Sequence, residues 1–103
     1  MQLSKELSKL PPNAQTCALS QAGDTAYLFI ARTTLIDCYK VNKDSIFQQH
    51  PVQLPLDEQF TFDYLASDEL GMVYAAVFSK KTNLTSIYEF NNQVAPHLVL
   101  TLA

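Results

Sequence analysis

The chain opens on leucines at helical spacing and then changes rhythm. Leu3, Leu7 and Leu10 fall at i, i+4 and i+7, one stripe of a helix. Pro11 and Pro12 end the stripe, because a proline pushes the residue before it out of the helical region. A free helix this short is marginal in water, so it is expected to dock its leucines or to fray. From Thr16 onward, runs of β-branched and aromatic residues alternate with polar turns, which predicts strands. Thr16–Ser20 is a short strand, and Gln21–Asp24 a turn carrying a Gly-Asp pair. Thr25–Ala31 is dense in apolar residues and bounded by turns, as expected of a strand buried on both faces. Leu35–Val41 sets Leu35, Asp37, Tyr39 and Val41 on one face and Ile36, Cys38 and Lys40 on the other. Ile46–Gln49 is a weaker strand, and Pro51 and Pro55 make residues 50–58 a loop or an edge.

The second half runs in the same order. Phe60–Ala66 alternates, with Phe60, Phe62 and Tyr64 on one face. Ser67–Gly71 is a turn, Met72–Phe78 an apolar strand and Ser79–Asn83 a basic turn. Leu84–Phe90 and His97–Leu102 are the last two strands, separated by a turn that begins at Asn91-Asn92. The two halves can be laid over each other. Ser20 and Ser67 stand 47 residues apart, and so do Tyr27 and Tyr74. Gly23 and Gly71 are offset by 48, and Tyr39 and Tyr88 by 49. The expected organisation is a helical segment over 1–12, one β-meander over 16–58 and a second over 59–103.

The repeated unit is a strand, a Ser-led turn with Gly, a very apolar strand, a strand with Tyr and a short outer strand. Residues 18–31 (ALSQAGDTAYLFIA) and 36–41 (IDCYKV) carry the pattern. They resemble the entry and third strand of β-propeller blades of the WD-repeat-like kind, and the likeness covers roughly 16–102. The Trp-Asp dipeptide and the Gly-His pair of such blades are missing, and the second Gly comes one place late. The resemblance implies two four-stranded antiparallel meanders and protein or peptide partners. Propellers close with ~4–8 blades, so two would leave an apolar face open on each outer side. The chain is therefore expected to be covered by further blades or a partner protein, or to self-associate. A second reading is one antiparallel sheet covered by the Leu3–Leu10 helix, a small self-contained α+β regulatory or adaptor domain.

Composition narrows the chemistry. The 103 residues are 48% hydrophobic and 17% charged, against ~25% charged in ordinary proteins, so a packed core is expected and disorder is not. The formal net charge is -3, which offers no basic footprint for nucleic acid or an anionic membrane. Two glycines rule out P-loop and dinucleotide fingerprints. No apolar stretch approaches the ~20 residues of a membrane span, and Lys5, Glu6 and Lys9 interrupt any signal-peptide core. A cytoplasmic or nuclear protein with reduced cysteines is the expectation.

Candidate sites are few. Cys17, Cys38, His50 and His97 are the right number for zinc but lack any local chelating pair, and two buried thiols are the plainer reading. A disulfide between Cys17 and Cys38 would need them on facing neighbouring strands. His50 and His97 lie beside prolines with no neighbour to make a catalytic pair. Asp57, Glu58, Asp63, Asp68 and Glu69 read as turn caps and solubilising charges rather than an acidic patch. No catalytic, metal or cofactor residue is assigned, and the chain is read as non-enzymatic. Leu98, Val99, Leu100 and Leu102 form the candidate interface, on an uncharged final strand that needs covering.

Overall fold

The polar turns read from the sequence fall where the strand ladders end. In a computed structural model that describes residues 16–102 except 23, 24, 33, 44, 57 and 58, the chain forms eight strands. They are β1 (Thr16–Ala22), β2 (Thr25–Ala31), β3 (Ile36–Val41), β4 (Ile46–Gln48), β5 (Phe60–Ser67), β6 (Val73–Ser79), β7 (Leu84–Phe90) and β8 (His97–Leu102). They make two antiparallel meanders, β1-β2-β3-β4 and β5-β6-β7-β8. The single-sheet alternative is thereby corrected: the described residues form two sheets. The helical segment expected over 1–12 lies outside the described residues.

Directly paired residues share a face, so the ladders show which side chains point between the sheets. In the first sheet, Ala18 pairs with Phe29 and Phe29 with Cys38. In the second, Leu65 pairs with Ala75 and Ala75 with Tyr88. These residues, with Ala31, Ile36, Phe62, Val73, Val77 and Phe90, form one buried cluster. Phe29 and Phe90 meet edge to face at its centre, ring centroids 5.3 Å apart at 85°. The sheets approach most closely at β1 and β5. Three hydrogen bonds cross that seam. Ser20 Oγ donates to the Gly71 carbonyl at 2.6 Å, Ser67 Oγ to the Leu19 carbonyl at 2.6 Å, and the Leu65 N–H to Thr16 Oγ1 at 3.3 Å.

Four details depart from expectation. A β-bulge between Phe62 and Tyr64 flips the face, so Leu65 rather than Tyr64 follows Phe62 into the core. The β6 strand is buried only on alternate residues, because among the described residues the second sheet packs on one side alone; β2 is buried on both faces only over Phe29–Ala31. The two hairpin connections are unequal, with ladders closing at Ala22–Thr25 and at Ser67–Val73. Ser20 therefore opposes Tyr27, whereas Ser67 opposes Val73, one place beyond the Ala66–Tyr74 pair. Finally, the proline-containing connection after β4 is an anchored loop: Val52 bridges Ile36, and Leu54 is buried in the core.

Candidate functional site

The candidate interface follows from strand order. β8 pairs with β7 along one edge and is the last strand of its sheet. Leu98, Val99, Leu100 and Leu102 are each about half exposed, with relative exposures of 54%, 52%, 49% and 46%. A register shift near Ile87–Tyr88 leaves Val99 between the Leu98–Tyr88 and Leu100–Ile87 pairs. Leu100 and Leu102 share a face, two residues apart, whereas Leu98 pairs with Tyr88 on the other. The predicted interface residues are thus brought to the surface but divided between two faces.

Leu100 belongs to a broader apolar surface. Tyr64 pairs with Ala76, Ala76 with Ile87 and Ile87 with Leu100, a row running across all four strands. Thr61, Phe78, Thr85 and Leu102 make the next row. Both rows lie on the side of the second sheet that faces away from the first. Tyr64, Ala76, Phe78 and Ile87 were not singled out from sequence for this surface. The bulge that turns Tyr64 outward has no residue signature in Phe60–Ala66, which reads as plain alternation.

A third row ends this face in polar groups. Glu89 meets His97 Nε2 at 3.0 Å, and the Tyr74 hydroxyl donates to Asp68 at 3.2 Å. Hydrogen bonding to Glu89, then desolvation and the nearby carboxylates, push the Tyr74 phenol up to about 12, so it stays a donor. Asp68 organises the turn before β6. Its Oδ1 accepts the Leu70 and Met72 N–H groups, each at 2.9 Å. The Met72 N–H bond, with those from Leu70 and Tyr74, holds the Asp68 carboxyl below its ordinary range.

A cavity of about 400 Å³ opens between the 49–53 and 91–96 connections, over Tyr27 and Cys38. Its wall is rich in amides (Gln49, Gln53, Asn91, Asn92 and Gln93) and also holds His50. No carboxylate lines it among the described residues. Burial pushes the Cys38 thiol up to about 11, so Cys38 is a packed side chain and a poor nucleophile. The expectation of two buried thiols is corrected at Cys17, which is exposed on the outward face of β1. The strands carrying Cys17 and Cys38 have β2 between them, so the pair does not face across one ladder. Asp37 is buried beside Arg32. Arg32 Nε lies 2.6 Å from Oδ2, but its N–H is not aimed at the oxygen, and the hydrogen bond runs from Nη2 to Oδ1 at 3.3 Å.

Among the described residues, no three His, Cys, Asp or Glu side chains come together as a metal-binding group. No helix among them is long and apolar enough to cross a membrane. Comparison with known proteins finds no matching family model, no similar curated protein and no similar solved structure.

Proposed function

We propose that this chain is a non-enzymatic protein-interaction or scaffold module, two propeller-like blades that work inside a larger propeller or multi-subunit assembly. The observation that carries the reading is the row Tyr64–Ala76–Ile87–Leu100 on the side of the second sheet turned away from the core. Apolar surface gains by leaving water, at ~25 cal/mol per Å². Contiguous apolar patches beyond a few hundred Å² on soluble proteins mark interaction sites. The partner is therefore a protein, either a further blade or another subunit, that lays an apolar sheet on this face. Two stacked meanders joined at their first strands support the blade reading. The free thiols Cys17 and Cys38 support a reducing compartment, cytoplasm or nucleus.

Photo-crosslinking in the cells that make the chain tests this. A benzoylphenylalanine at Leu100 is expected to capture protein, while one at Thr82, in the β6–β7 turn, is not. Equal or absent capture at the two positions overturns the reading.

A further inference from the structure

The relation between the two sheets can be read from their contacts. Across the seam these advance in step: Thr16 with Leu65, Leu19 with Ser67, Ser20 with Gly71. The β1 and β5 strands therefore run in the same direction. Both meanders also spread from the seam toward the same side, since Phe29 of β2 meets Phe90 of β7. Two sheets of one topology stacked in this way touch through opposite faces of the repeated unit. The contact is heterologous, head to tail, and leaves each sheet with an outer face. Among the described residues that of the second sheet is open along its rows, and that of the first is open around Leu19, while Ile30 and Asp37 on it are buried. The two outer faces correspond to the pair already joined within the chain.

Exposure follows this relation at two positions of the first strands, though not at Ile30, which is buried on the outer face like its counterpart Val77 on the inner one. Matching Tyr27 with Tyr74 through the ladders equates Leu19 with Leu65, and Ala18 with Tyr64. Leu65 is 3% exposed beneath the first sheet, whereas Leu19 on the outer face is 53% exposed. Ala18 is 8% exposed beneath the second sheet, whereas Tyr64 is 61% exposed. A seam contact has its counterpart too. Thr16, whose hydroxyl accepts the Leu65 N–H, corresponds to Thr61, and Leu65 to Leu19.

We infer that the occupant of the outer face of the second sheet is a second copy of this chain, which lays the outer face of its own first sheet upon it. The inference rests on the reading of these faces as protein interfaces and names the partner. Tyr64, Ala76, Ile87 and Leu100 of one copy meet Leu19, its ladder partner Leu28, and Val41 on the same face of the next. Head-to-tail contacts of this kind close into a ring when the rotation per copy allows, and otherwise extend into a filament.

Light scattering after gel filtration, at roughly 5–200 µM chain as set by ordinary self-association constants, is the test. Two variants are used, Tyr64→Arg with Leu100→Arg on one face, and Leu19→Arg on the other. All three positions are exposed, so the fold tolerates the charge, and circular dichroism checks that it does. The wild-type chain is expected to exceed monomer mass and each variant to run as monomer. An equimolar mixture of the two is expected to give a single heterodimer, because each supplies the face the other lacks. A wild-type monomer throughout, variants that fail to complement, or loss of association through one face only overturns the proposal. If the wild type is monomeric while crosslinks at Leu100 still capture a different protein, the self-association fails and the interaction reading stands.

Discussion

The Ser20 hydroxyl donates to the Gly71 carbonyl at 2.6 Å, joining residues 51 positions apart across the seam of the two sheets. Ser20 is buried, so removing its hydroxyl leaves the carbonyl of a buried glycine without that donor. Ser20→Ala is expected to cost about 1–3 kcal/mol in urea unfolding. Ser67→Ala removes the exposed counterpart bond to Leu19, where water can replace it, and is expected to cost under about 1 kcal/mol.

Gly71 itself adopts a φ of 86°, and a Cβ there would lie 3.2 Å from the Gln21 carbonyl oxygen. Both the backbone conformation and the close approach of β1 require glycine. Gly71→Ala is expected to destabilise by about 1–3 kcal/mol in the same assay.

The Asp68 carboxyl is held below its ordinary range by the Met72, Leu70 and Tyr74 donors. A depressed folded pKa contributes stability that is present above the unfolded value, about 4, and is lost as pH falls through the folded value. Asparagine keeps an acceptor for the two N–H groups but does not titrate there. Between pH 4 and pH 2, Asp68→Asn is therefore expected to lose stability less steeply than the wild type. Urea midpoints across that range measure it.

The two thiols differ in access. Cys17 is exposed on β1, while burial pushes the Cys38 thiol up to about 11. Thiolate is the reacting species, so a disulfide reagent at mild alkaline pH is expected to modify one thiol per folded chain, at Cys17. Cys38 reacts only on unfolding. The Tyr64→Arg, Leu100→Arg variant is the sample of choice, since association would shield Cys17.

Much of the architecture was legible because strand patterning and turn residues agree. Thr25–Ala31 is bounded by its flanking turns, and the four strands of each half follow from apolar runs set between polar turns; the 47-residue spacing holds for Tyr27 and Tyr74, while Ser67 sits one ladder place away from the position of Ser20. What could not be read was which side of a strand meets a neighbour. That depends on the bulge at Phe62–Tyr64 and on how the sheets stack, and both are tertiary. Leu54 was hidden for a similar reason. Between Pro51 and Pro55 it looks like loop, yet the Ile36–Val52 bridge delivers it into the core. Of the candidate site, Leu100 and Leu102 were legible as uncharged strand residues, whereas Tyr64, Ala76 and Ile87 join them only through the cross-strand ladders.

Hydroxyl-radical footprinting of Tyr64 tests most directly whether the second sheet's outer face is covered. Tyr64 is 61% exposed in the single chain, so the monomeric Leu19→Arg variant, which retains this tyrosine, sets its unprotected rate. In the wild-type chain, in the assembly isolated from its cells, Tyr64 is expected to be oxidised several-fold more slowly than that. Equal rates would mean that water reaches this face in both, contradicting the account.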